Sequence, residues 1–134
     1  VSDDPGAQSQ FLQRVALDQS SGRLAVSWHD ARNDLGDGGP GDTDGIPNDD
    51  VSFYATISIP GQVAFRPSVR LAATTNAEAA QSPWDLGDYT GLSFAGGVFF
   101  PAWGDNSNST RDNPDGRLSH LDVYTAKVAV PPVG

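Results

Sequence analysis

Apolar and polar positions alternate with a period of two over several short stretches of the chain. Leu24, Val26 and Trp28 alternate with Ala25, Ser27 and His29; Phe53, Ala55 and Ile57 alternate with Tyr54, Thr56 and Ser58. Successive strand residues face opposite sides of a sheet, so this is the pattern of half-buried β-strands. Val69-Arg70-Leu71 reads as a shorter strand, and residues at Ser20–Arg23, Pro60–Gln62 and Gly96–Gly97 tolerate the tight backbone of turns. The pattern predicts strands near 11–18, 23–30, 51–58 and 68–73, and then near 89–95, 97–104 and 121–129. Asn76–Gln81 has the composition of one helical turn, which Pro83 would end, and no longer amphipathic helix is predicted. Pro101 falls inside a predicted strand, where its missing N–H implies an edge, a bulge or a strand end.

The chain also matches itself. At an offset of 75 residues Leu17 meets Leu92, Gly22 meets Gly97, Trp28 meets Trp103, Asp30 meets Asp105 and Asn33 meets Asn108. Beyond the following loop the offset falls to 70, and Tyr54 meets Tyr124, because the first copy has a loop about five residues longer. Such recurrence in one order is the signature of a repeat architecture. The predicted organisation is a single unit over 1–134, with repeat one at about 11–73, a connector at 74–85, repeat two at about 86–129 and a tail at 130–134.

Up to four antiparallel strands per repeat, the second ending in Trp-x-Asp, suggest β-propeller blades, with a β-sandwich as the rival arrangement. The stretches GlnPheLeuGlnArgValAlaLeuAsp, GlyArgLeuAlaValSerTrpHisAspAlaArgAsnAsp, LeuGlyAspTyrThrGlyLeu and AspValTyrThrAlaLysVal resemble blades of secreted bacterial sialidase-like proteins. That family carries neuraminidase repeats, or Asp boxes, of the form Ser-x-Asp-x-Gly-x-x-aromatic. Ser58 and Phe65 fit that form, whereas Pro60 and Gln62 replace its Asp and Gly. The resemblance implies a turn at 58–65 that is kept without its capping hydrogen bond. Propellers have about four to eight blades. Two blades leave open edges, so an incomplete propeller is expected, completed by remaining blades or by partner subunits.

Composition narrows the partners. The chain has 134 residues, with 17 acidic and 8 basic side chains and a formal charge of −9. This balance argues against nucleic acid and against insertion into an anionic membrane surface, and no apolar run is long enough to span a bilayer. There is no Cys, hence no disulfide, thiol catalysis or Cys-ligated zinc. Val1 replaces an initiator Met, which suits either an artificial boundary or a segment of a longer exported precursor; a secreted, cell-surface or periplasmic location is the expectation.

Of the acids, 16 are Asp and one, Glu78, is Glu. Short carboxylates in Gly-rich loops point to turn chemistry first and calcium second. Gly41-Asp42-Thr43-Asp44-Gly45-Ile46-Pro47-Asn48-Asp49-Asp50 is the strongest candidate: alternate Asp residues on a curling loop direct several oxygens inward, with Asp42, Asp44 and Asp49 or Asp50 as ligands of calcium. The loop lacks the third Asp and terminal Glu of an EF-hand, and a solvated acidic insertion is the other reading. Asp105-Asn106-Ser107-Asn108, with Asp112, Asn113 and Asp115, has oxygen ligands without regular spacing; Asx turns explain it, with calcium as the lesser alternative.

The resemblance implies, for active members, a Tyr nucleophile activated by Glu, an Asp acid/base and three Arg gripping a sialic carboxylate. Here none of the seven Arg stands in an Arg-Ile-Pro setting, and Glu78 lies in a polar connector. Candidate ligand-surface residues are His29 and Arg32 at a strand end, Trp84 for stacking on a sugar ring, and Tyr89 in the resemblance motif. For Arg32 the plainer role is an ion pair with Asp30 or Asp34; for Trp84, pinning the connector. His120 has no partner visible in sequence. Phosphate loops, the nucleophile elbow and the zinc-protease helix are missing from the sequence. The expected function is a non-catalytic structural or binding module, stabilised by calcium, with glycan as a candidate ligand. Two alternatives stay open: a scaffold fragment of an exo-sialidase, and a subunit of a complex that covers its open sheet edges.

Overall fold

The computed structural model describes residues 1–76, 86–107 and 121–131. The described residues are all-β, without helix, and form two antiparallel sheets, neither closed on itself. The first sheet comprises β1 (Gln10–Asp18), β2 (Arg23–Asp30), β3 (Asp50–Ile57) and β4 (Val69–Arg70) in that order, with β5 (Thr75–Asn76) adding to the start of β3. The second has β6 (Gly91–Ala95), β7 (Val98–Asp105) and β8 (Asp122–Thr125) in order, with β9 (Val128–Ala129) beside the start of β7. The expected strand near 68–73 is thus reduced to β4, and the start of the expected connector is the strand β5. The helical turn suggested at 76–81 lies almost wholly outside the described residues.

The two copies build the same unit. β2 and β7 span matching positions, and each places its Trp opposite the matching Tyr, Trp28 with Tyr54 and Trp103 with Tyr124. In both, the indole Nε1 donates to the Asp two residues later, at 2.6 Å for Trp28–Asp30 and 3.0 Å for Trp103–Asp105. The second carboxylate oxygen then accepts the backbone N–H two residues further on, from Arg32 and Ser107. The Trp-x-Asp motif is therefore a clasp: it satisfies a buried indole and turns the chain out of the sheet.

Entry into each unit is also duplicated. Leu12 and Gly87, matching positions, both have left-handed backbone, with φ of 52° and 78°. At Leu12 this forms a bulge in the β1–β2 ladder between Phe11 and Arg14. Among the described residues a Cβ at Gly87 would meet nothing within 4 Å, so a side chain there is opposed by the backbone. Gly87→Ala is expected to cost about 1–2 kcal/mol in urea unfolding, from left-handed strain; no change would mean that this turn relaxes freely.

The Pro101 expectation resolves unusually. β7 is central, yet its partner is broken between β8 and β9 at Ala126–Lys127. The Pro101 carbonyl accepts from Ala126 N and Thr125 Oγ1. A strand residue's N–H and C=O point the same way, so the donor that Pro lacks faces this break. The turn at 58–65 is kept: Ser58 bridges Phe65, and Ile59 N donates to Ala64 O at 2.8 Å.

The sheets meet through unlike faces. The side of the first sheet bearing Ala25, Ser27, His29, Phe53, Ala55 and Ile57 covers the side of the second bearing Leu92, Phe94, Phe99 and Trp103. By the repeat, that second side corresponds to the opposite face of the first sheet, with Leu17, Leu24 and Trp28. The alternation in β2 is accordingly inverted relative to simple polarity: Ala25, Ser27 and His29 are each 0% exposed, whereas Leu24 and Val26 are only half-buried. Small residues at Ala25 and Ala55 leave room for the rings of Phe94 and Phe99. An aromatic column runs through the join, from Phe11 on His29 (5.5 Å) to Phe53 (4.9 Å) and Trp103 (4.5 Å). Buried Asp18 adds a polar tie, accepting from the Ser20 and Ser21 hydroxyls and from Gly96 and Gly97 N–H of the other sheet. Those hydroxyls, Ser20 foremost, hold its carboxyl well below the usual range.

Candidate metal centre

The long loop 31–49 leaves β2 at the Trp28–Asp30 clasp and returns at the start of β3. Ala31 N donates to Ser9 O and Asp34 N to Ala31 O, a turn that drives the Asp34 side chain inward to 0% exposure. Asp34 Oδ2 accepts the N–H groups of Asp49 and Asp50, at 2.7 and 2.8 Å. One carboxylate thus joins the two ends of the loop.

Between those ends the Asp residues organise their own backbone. Asp42 accepts from Gly38 N, Asp44 N and Gly45 N, and Asp44 accepts from Ile46 N. These are Asx turns of the kind the composition suggested. The amides of Gly38 and Gly45, in that order, lower the Asp42 pKa. Thr43 donates to Asp50 through both its N–H and its hydroxyl, and Asn48 exchanges hydrogen bonds with Ser9.

Two groups of carboxylates result. Asp42, Asp44 and Asp50 offer ligand atoms within 4.8 Å of one another, and so do Asp34, Asp49 and Asp50. All four residues expected from the sequence, Asp42, Asp44, Asp49 and Asp50, take part, divided between the groups and sharing Asp50. A cluster of three Asp is the kind of all-oxygen donor set that holds a hard metal ion. The groups differ in environment. Asp34 Oδ1 and both Asp49 oxygens are buried without a hydrogen-bond partner among the described residues. Asp49 is pushed up to about 6, by desolvation first and then by the charges of Asp44, Asp50 and Asp34.

Asp34 becomes a candidate ligand only in the folded chain; in sequence it reads as a partner for Arg32. No spacing rule reaches it, since it lies at the far end of the loop from Asp49. The available signal was its place just after the Trp-x-Asp clasp, where a loop end must be secured.

The remaining candidates separate. His29 is not on a ligand surface, and that expectation is corrected: it is sealed between Phe11 and Phe53, with Nε2 3.3 Å from Gly104 O. Arg32 forms ion pairs with Asp30 and Asp3, at 2.7 and 2.8 Å, and lies over the Tyr54 ring at 4.2 Å. The expected bond to Asp30 is present; Asp3 takes the place suggested for Asp34. Tyr89 is 79% exposed, with Arg14 lying 6.0 Å from its ring centre, and it borders an open groove with Leu86, Ala102, Leu121 and Val123. Trp84, Glu78, His120 and the acidic run at 112–115 lie outside the described residues. Tyr54 is hydrogen-bonded to Asn33 Nδ2 and packed on Trp28, so its recurrence with Tyr124 reflects packing.

No family model, no curated protein and no solved structure matches this chain. Among the described residues, no helix is long and apolar enough to cross a membrane.

Proposed function

We propose that the chain contributes two adjacent blades to an extracytoplasmic β-propeller of the sialidase-like kind, acting as a non-catalytic structural or binding module with calcium as its stabilising ion. One observation carries this reading: duplicate sheets pack unlike face to unlike face. A face-to-same-face pair is self-complementary and finished, whereas a head-to-tail pair repeats its interface until a ring closes. The packing therefore leaves the second sheet with a face equivalent to the one the first sheet has buried.

That remaining face carries Phe100, Ala102, Gly104 and Val123, the counterparts of Ala25, Ser27, His29 and Phe53. Val123 is 83% and Phe100 45% exposed, although Phe53 at the matching position lies flat on an indole. A next blade, presenting its own Trp, is the occupant this face suits. The chain alone is expected to associate in sedimentation velocity beyond its 14.1 kDa and to bind a hydrophobic dye. Changing Phe100 to Ser together with Val123 to Thr should return it to the monomer while leaving its melting temperature within about 2 °C. A wild-type chain that is monomeric and dye-silent would remove the open-face argument.

A further inference from the structure

We propose that Asp34, Asp49 and Asp50 form a divalent-cation site that clamps the exit of β2 to the entry of β3, and that Asp42 and Asp44 shape the loop without ligating the ion. This deepens the calcium part of the proposed function and rests on it. The choice between the two carboxylate groups follows from what each oxygen already does. Asp42 accepts three backbone N–H groups, and the resulting Asx turns account for its place in the loop. In the other group, the fully buried Asp34 leaves Oδ1 with no donor among the described residues, and Asp49 beside it leaves both oxygens with none. Buried carboxylates without donors are strongly disfavoured unless a cation neutralises them.

The chemical class follows from the donors. They are carboxylate oxygens, with no imidazole or thiolate among them, which suits a hard ion. Calcium accepts six to eight oxygens in irregular arrangement, whereas magnesium demands near-octahedral geometry and keeps its water. A site made from two loop ends therefore favours calcium. Asp34 is suited to the anchoring role, because its second oxygen already holds Asp49 N and Asp50 N.

The competing arrangement is a proton shared between Asp34 and Asp49, which lie close enough to interact directly. The two are separated by calcium titration calorimetry and by melting in calcium or in EDTA, on wild type, Asp49→Asn and Asp42→Asn. Wild type should bind one calcium per chain and melt higher in calcium than in EDTA. Asp49→Asn should weaken binding more than about tenfold, yet melt above wild type in EDTA, because one uncompensated carboxylate is gone. Asp42→Asn should keep calcium affinity within about threefold, even if its turn is weakened. Should Asp34→Asn prove poorly folded, Asp49→Asn still decides, since among the described residues no N–H or hydroxyl donates to its carboxylate. Equal wild-type melting in calcium and EDTA, with stability rising instead toward pH 5, would overturn the cation in favour of the shared proton. Loss of binding in Asp42→Asn but not in Asp49→Asn would overturn the assignment. Neither result touches the blade reading, which the association of the Phe100–Val123 face tests separately.

Discussion

Replacing Trp103 by Ala is expected to destabilise the protein by about 3–5 kcal/mol in urea unfolding, the range for removing a buried indole. Trp103 is 3% exposed and stands where the two sheets join: Phe53 lies on its ring at 8° and 4.5 Å, and Tyr124 packs beside it. Its loss also strands Asp105 Oδ2, which accepts the indole N–H in an interior setting. Trp28→Ala is the control. Trp28 has the same clasp and a similar burial of 4%, but its ring partner is Tyr54 of its own sheet. The inter-sheet stacking that only Trp103 makes should add about 0.5–1.5 kcal/mol to its cost relative to Trp28. A Trp103 loss below about 1 kcal/mol, or one equal to that of Trp28, would contradict its place in the join.

The second large effect is a loss of stability on acidification, centred on His29. Its Nε2 faces the Gly104 carbonyl, which only accepts, so Nε2 carries the proton and donates. Nδ1 is buried with no partner among the described residues. A second proton would thus place an unsatisfied donor and a charge between two aromatic rings. Desolvation lowers the pKa from 6.5 to about 4, against opposing contributions from the Gly104 carbonyl and the Asp105 charge. The unfolded chain takes up its proton as pH falls through 6.5, whereas the folded one resists until about 4. The associated stability is therefore complete above pH 6.5 and is lost progressively down to about 4, amounting to about 3 kcal/mol. Asp49, with its pKa raised to about 6, acts in the opposite direction and gains stability as pH falls. The His29 share is isolated by comparing wild type with His29→Gln, which keeps a donor for Gly104 but does not titrate. The difference in stability between the two should shrink or reverse by about 3 kcal/mol between pH 7 and pH 4. Parallel pH profiles would show that the imidazole is charged or solvated in the fold.

Both effects depend on the unlike-face join, and that join marks how far the chain's letters reach. Five of the strand regions are readable because period-two alternation and turn residues mark strands locally, whereas the expected strand at 68–73 shrinks to β4 and that at 121–129 splits into β8 and β9; the duplication of Trp28–Asp30 in Trp103–Asp105 is visible by inspection. That Asp-rich, Gly-rich loops favour turns is legible from composition, because an Asx turn involves neighbours in sequence; the sequence points to Asp42 and Asp44 themselves as ligands, and their turns are seen only in the fold. Short pairings such as β5 on β3 are not legible, since two residues carry no periodicity.

Legible along the chain are therefore local features: all-β strands, two copies of one unit, and a Trp-x-Asp that ends each second strand. Period two states which residues share a face, but not which face is covered. It placed His29 with the polar side of β2, and only packing revealed that this side is the interior one, because Ala25 and Ala55 are small enough to admit Phe94 and Phe99. Tertiary structure likewise brought Asp34 to Asp49 and Asp50 across the whole length of a loop. Such proximity is a property of how chain ends converge on a sheet, and no spacing along the chain encodes it.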